Sequence, residues 1–181
     1  FPINKFIGTL ILIFSILFVA IELFKKKKYI IFKKIIILLI ISFFLIAFSN
    51  VYRPDAGLYH LPYISILNEN KIIFGLSNLH FRFGHISINQ YISAAFNNHL
   101  IPIESLSIPA ALLFSLFIYF LFSSFKKIIK KNEFNNSLIF FLLIIIAIYS
   151  YNRFSEYGND TPAHIFFILL FINIVFKNKN E

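Results

Sequence analysis

The stretch Ile35 to Phe48, IIILLIISFFLIAF, holds no charge, no proline and no glycine, and it lacks the in-out alternation of an outer-membrane strand. Lipid offers backbone N–H and C=O groups no partners, so a run of this kind must satisfy its own hydrogen bonds as a helix. Crossing about 30 Å of hydrocarbon takes roughly 20 helical residues, or about 17 where the ends snorkel or the bilayer thins. Worked outward, the run becomes a span over 35–52. Comparable apolar segments lie at 6–24, 105–125 and 134–151, with a shorter one at 161–176. The predicted fold class is all-α: a polytopic transmembrane helix bundle of about five spans, forming a single transmembrane domain over residues 1–181.

Composition supports the same class. Hydrophobic residues make up 59% of the chain and charged residues 14%, in blocks too long to be half-exposed faces of a soluble fold. The basic cluster Lys25 to Lys28 follows the first apolar segment instead of preceding it, which marks a retained span and not a secretory signal. With no cysteine there are no disulfides, no thiolate metal sites and no thiol nucleophiles. Methionine is absent even at position 1, so the sequence reads as a piece of a longer reading frame. Further helices or a soluble domain of the same full-length chain are then expected as partners.

Charge sets the orientation. Of the 17 basic residues, all but Lys5, Arg53, Lys71, Arg82 and Arg153 fall in three segments, at 25–34, 126–131 and 177–179. Lysine and arginine are retained on the cytoplasmic side, so these segments face inward, and loop 53–104 and the 152–160 connection face outward. The net charge of +9 is therefore topogenic; the lysines sit beside spans and no nucleic-acid-binding motif accompanies them. The predicted location is a bacterial inner membrane, with membrane lipid as the surroundings and no nucleic-acid partner.

Loop 53–104 is long for a simple connection, and such loops usually carry structure or function. PYISILNEN, from Pro62, and SINQYISAAFNNHL, from Ser87, show helical spacing of Ile64 and Leu67 and of Ile88, Ile92, Ala95 and Phe96. Both are too short or too polar to span, so two interfacial helices are expected, with their apolar faces in lipid or on the bundle. Asp55 follows the second span closely, which puts its carboxylate at headgroup height. Tyr59 and His60 come next, and GLSNLHFRFGH adds His80, Arg82 and His85 between the turn glycines Gly75 and Gly84. YNRFSEYGNDTPA brings Arg153, Glu156 and Asp160 from another pair of spans. A carboxylate can deprotonate a hydroxyl nucleophile, while Arg or His can hold a phosphate leaving group. Taken singly, each of these residues also fits an ordinary solvated position near an interface. Asp55 fits that description least, being a helix-end acid with Tyr and His beside it. No HxH or HExxH spacing exists, and His80 and His85 are five apart, so neither a metal nor a cofactor is called for.

At RPDAGLYHLP the sequence resembles the first outer loop of GT-C-type glycosyltransferases, the polytopic enzymes that include aminoarabinose and protein O-mannosyl transferases. DAGLYHLP followed by GLSNLHFRFG is similar to a group of bacterial multi-pass membrane proteins assigned to that architecture by inference. The resemblance covers about residues 52–100 and, more weakly, Arg153 to Asp160. It implies Asp55 as catalytic base and Tyr59, His60, His80, Arg82, Arg153, Glu156 and Asp160 as substrate-binding positions. It also implies a lipid-linked sugar donor, from which a sugar passes to an acceptor hydroxyl at the extracytoplasmic face. One departure stands out: several GT-C families carry a second acid beside the first, and here that position is Ala56. Asp55 then works alone, is joined by Glu156 or Asp160, or the chemistry differs. The competing readings are a lipid-linked saccharide flippase and a non-catalytic subunit of a cell-envelope polysaccharide assembly. A flippase should line its spans with charge, and apart from Glu22 and terminal lysines these spans hold almost none.

Overall fold

A computed structural model of the protein describes residues 2–26, 29–47, 54–71, 73–84, 87–100, 106–150, 157–158 and 160–177. Among them the secondary structure is helical throughout, with no strand. The long helices are α1 (Lys5–Lys26), α2 (Tyr29–Ala47), α6 (Ile108–Lys130), α7 (Phe134–Tyr149) and α8 (Asp160–Lys177). Between α2 and α6 come a π-helical turn (Ala56–His60), α3 (Leu61–Glu69), α4 (Leu76–Leu79), a 3₁₀ turn (Phe81–Gly84) and α5 (Ile88–Phe96). Lys5–Glu22 and Ile108–Lys130 are long and apolar enough to cross a membrane. Phe134–Tyr149 and Asp160–Phe176 are shorter apolar helices.

The helix ends differ from those of the apolar segments read from the sequence: α7 stops at Tyr149, two residues short of 151, while others run past. The 35–52 span is α2, which starts six residues earlier at Tyr29, while 48–52 fall outside the described residues. The 105–125 span, expected to end at Phe125, continues as α6 to Lys130. Lysine is a good helix former, so the end of the apolar run does not end the helix. It ends at Asn132, which takes φ 57°, a left-handed conformation that Asn tolerates. The carbonyls of Ile128 and Ile129 accept from Lys131 and Asn132 at 3.0 Å each, and the chain turns directly into α7.

α6 is the hub, packing against α2, α7 and α8. Their shared core holds Leu45, Phe114, Phe117, Leu121, Phe140, Ile144, Ile165 and Ile172, with Ala111 and Ala147 allowing close approach. Ser42 Oγ of α2 meets Ser115 Oγ of α6 at 2.8 Å, buried. Each hydroxyl also lies 2.7 Å from the carbonyl four residues back, Leu38 and Ala111 respectively. Two protons serve three contacts, so one serine donates across the interface while the other donates to its own helix. The outward faces are greasy: Phe43 and Phe44 on α2, Leu142 and Ile146 on α7, and Phe166 and Phe167 on α8 are all exposed.

A second cluster, Ile64, Ala94 and Leu106, joins α3, α5 and the start of α6. α1 docks here, at its own beginning. Ile3 donates to the Leu67 carbonyl at 3.0 Å, and Asn68 Nδ2 donates to the carbonyls of Ile3 at 2.6 Å and Ala94 at 3.0 Å. The Asn68 side-chain oxygen accepts from Asn97 Nδ2. Gly8 is pressed so closely on the end of α5 that a Cβ there would lie 2.3 Å from the Asn97 carbonyl oxygen. An apolar cleft of about 840 Å³ lies between α1 and α2, lined by Leu12, Val19, Ile36, Leu39 and Phe43, with Phe96 and Ile108 also in its wall.

Both short helices expected in loop 53–104 are present, as α3 and α5, and of the two faces α5 could turn inward it turns the polar one. Asn89, Gln90, Ser93 and Asn97 are buried, while Ile88 is 79% and Ile92 42% exposed. The polar stripe faces the protein and the apolar stripe faces outward.

Candidate functional site

The site begins with a distortion that proline imposes. Pro62 has no N–H to give the Leu58 carbonyl, and its ring would collide with that carbonyl in a regular helix. The chain widens instead into the π-helical turn Ala56–His60, in which Leu61 N–H reaches back five residues to the Ala56 carbonyl. Turns of this kind are rare and recur at functional sites. Asp55 stands at the head of the turn, exposed, with its carboxylate near enough to the Tyr59 hydroxyl to act on its titration.

Tyr59 is the hinge of the cluster. Arg82 reaches it from the 3₁₀ turn, Nη1 donating to Tyr59 Oη at 3.4 Å with the guanidinium carbon 4.9 Å from the ring centroid. Gly75 makes this approach possible: at φ 80° it takes the left-handed conformation that starts α4 and folds the segment back. His80 stacks on Tyr59 at 6.2 Å and on Phe81 at 5.1 Å, and its Nδ1 accepts from the Arg82 backbone N–H at 3.3 Å. Burial and the Asp55 carboxylate raise the Tyr59 phenol above its usual pKa, against the pull of Arg82. Tyr59 therefore stays protonated. Behind it Tyr63, hydrogen-bonded to Tyr91, is pushed up to about 12, chiefly by burial.

His60 faces the other way, toward α5 and α8. Its Nδ1 lies 3.2 Å from Gln90 Nε2, and its Nε2 is so close to Gly158 that a Cβ there would sit 3.1 Å away. Asn89 Nδ2 fixes Gly158 by donating to its carbonyl at 3.1 Å. Burial holds the His60 pKa below the usual imidazole value; Asp55 and Asp160 pull it up and Arg82 pulls it down, without reversing that. With the Gln90 amide nitrogen donating to Nδ1, the neutral ring carries its proton on Nε2. Gln90 Oε1 is buried and has no hydrogen-bond partner. Turning the amide over would exchange one unmet end for the other.

Asp55, Tyr59, His60, His80 and Arg82 thus come together, and Asp160, in the first turn of α8, lies near enough for its charge to act on Tyr59 and His60. Arg153 and Glu156 lie outside the described residues, as does His85. His99 is elsewhere, its N–H donating to Thr9 Oγ1 on α1 at 3.2 Å. No group of three or more His, Asp or Glu side chains that could hold a metal ion occurs among the described residues. Sequence reasoning missed Asn89, Gln90 and Gly158. The signal was the helical spacing of Asn89, Gln90, Ser93 and Asn97, a polar stripe that in an apolar setting belongs inside.

The arrangement offers an exposed carboxylate and a guanidinium that both act on one phenol, with a neutral imidazole and an unmet amide oxygen beside them. A family model described as Domain of unknown function (DUF8201) matches residues 1–181. No curated protein and no solved structure matches significantly.

Proposed function

We propose that this chain, which belongs to the DUF8201 family, is a multi-pass membrane glycosyltransferase of GT-C type that moves a sugar from a polyprenyl-phosphate carrier to an acceptor hydroxyl. In this reading α1, α2, α6, α7 and α8 cross the bacterial inner membrane, and α3 and α5 lie at its outer surface within loop 53–104. The greasy outward faces of the long helices and the exposed Ile88 and Ile92 of α5 support it.

The observation that carries the chemistry is the Asp55–Tyr59–Arg82 line. Asp55 takes the proton of the acceptor hydroxyl as its oxygen bonds to the anomeric carbon. The bond from that carbon to the phosphate oxygen breaks on the opposite side, inverting the centre and releasing polyprenyl phosphate. Arg82 receives the charge developing on the phosphate. Tyr59 holds base and clamp in register. Gln90 Oε1 is an acceptor awaiting a hydroxyl, which a sugar supplies in abundance. Asp160 stands as the second carboxylate that Ala56 does not provide. The cleft between α1 and α2 includes Phe96 in its lining, six residues along α5 from Gln90 and so about 9 Å along the helix, which suits the carrier's chain.

The test is transfer or release from radiolabelled polyprenyl-phosphate hexoses and pentoses by the protein in lipid nanodiscs. Asp55→Asn should lower turnover by at least about a hundredfold, within the usual range for losing a general base, with the helical content unchanged. Equal turnover by the variant removes the base. The membrane side is tested apart from this: the chain has no cysteine, so Asn70→Cys, at an exposed position, reports by labelling with an impermeant maleimide in intact cells.

A further inference from the structure

At the opposite end of α6 from this site lies a cavity of about 530 Å³ that the proposed reaction does not use. α6 has 23 residues, so the two ends stand about 34 Å apart. Its rim carries Lys127, in the last turn of α6, and Lys131, just past its end and four residues on, so on the same face, with Ser124 a turn earlier. Facing them are Glu133 and Asn136, whose Nδ2 donates to the Glu133 carboxylate at 2.5 Å. The floor is apolar: Phe140 and Phe176, with ring centroids 5.1 Å apart, and Ile172.

We propose that this cavity binds a membrane phospholipid whose headgroup carries a hydrogen-bond donor beside its phosphate, as in phosphatidylethanolamine or phosphatidylglycerol. Two lysines match the phosphate, and basic pockets between helices on a lysine-rich face suit phospholipid headgroups. The Glu133 carboxylate decides the rest. It repels a bare anion and leaves a choline headgroup's methyls with nothing to donate, but it accepts from an ammonium or a glycerol hydroxyl. The phenyl and isoleucine floor gives the first carbons of an acyl chain a surface that water alone would not favour. The inference rests on the membrane placement above only for setting this end at headgroup height, and not at all on sugar transfer.

Native mass spectrometry of the detergent-purified protein tests it. Phosphatidylethanolamine, phosphatidylglycerol and phosphatidylcholine of matched chains are added separately, and inorganic phosphate serves as competitor. The first two should bind at several-fold lower concentration than phosphatidylcholine, and phosphate should not displace them. Lys127→Gln with Lys131→Gln, both at exposed positions, should weaken binding about 25-fold, roughly fivefold per lysine. Glu133→Gln should weaken phosphatidylethanolamine more than phosphatidylglycerol. Equal binding of phosphatidylcholine, unchanged binding by the double variant, or full displacement by phosphate overturns the proposal. Failure of the membrane placement shows separately, as release of the wild-type chain from membranes by carbonate.

Discussion

Replacing Gly8 by alanine should detach α1 from the rest of the molecule while leaving the α2, α6, α7 and α8 bundle intact. The added methyl carbon would lie 2.3 Å from the Asn97 carbonyl oxygen and 2.8 Å from that of Ala95. Packed carbon and carbonyl oxygen settle at about 3.3–3.6 Å, so α1 must withdraw by about 1 Å. Both obstacles are backbone, which cannot rotate aside. Overpacking of this kind costs about 1–3 kcal/mol. Withdrawal also strains the bonds from Ile3 N–H to Leu67, from Asn68 to Ile3, and from His99 N–H to Thr9, each worth about 1 kcal/mol. A total of about 2–4 kcal/mol opens the α1 contact roughly 30- to 1,000-fold more often. Hydrogen exchange in detergent reads this directly. The Ile3 amide should lose protection by that factor, while α7 amides near Ile144 stay unchanged. Gly84→Ala is the control, since its Cβ would meet only Ser77 Cβ at an ordinary 3.4 Å. If Ile3 exchanges in Gly8→Ala within about threefold of the wild-type rate, the backbone contact does not hold α1, and the reasoning fails.

Other expectations follow from the buried polar groups. Because the folded His60 pKa lies below the unfolded value of 6.5, the unfolded chain binds the extra proton first. The stability this represents is full above about pH 6.5, declines as pH falls through that value, and levels off below the lowered folded pKa. His60→Gln should flatten that part of a denaturation-against-pH curve, and an unchanged slope would refute the assignment. At the α2–α6 contact, Ser115→Ala should cost only about 0.6 kcal/mol, since Ser42 keeps its bond to the Leu38 carbonyl. Ser115→Leu, at a position with 0% exposure, should cost about 1–3 kcal/mol by overpacking. Unfolding in detergent compares the two, and equal losses would argue against a close-packed interface there.

The helical class was legible because apolar runs without alternation leave the backbone no other solution, and the five long helices lie where those runs do. Their ends were less legible: Lys126 to Lys130 were read as loop, yet lysine extends a helix as readily as it ends a span. In loop 53–104, Ile64 and Leu67 correctly marked α3. The same pattern at Ile88 and Ile92 identified α5 but could not choose between lipid and protein for its apolar face. The polar stripe is the side that is buried: Asn89 reaches the Gly158 carbonyl, Gln90 reaches His60 and Asn97 reaches Asn68. Asp55, Tyr59 and His60 were legible as neighbours in sequence. Their meeting with Arg82, 23 positions on, depended on the left-handed turn at Gly75, and the Gln90–His60 contact spans 30 positions. Such long-range pairings are not written in local periodicity.

The docking of α1 has a consequence for the making of the protein. α1 leaves the ribosome first among the described helices, yet the surface it rests on is built from Leu67, Asn68, Ala94 and Asn97. Thr9 and His99, which join across this contact, are 90 positions apart. At about 5–20 residues per second, α1 waits roughly 5–20 s for its partner to be synthesised. During that interval α1 lacks the surface on which it finally rests. Its attachment is therefore a late event in biogenesis, and α1, made before its seat, is among the last of the described helices to find its place.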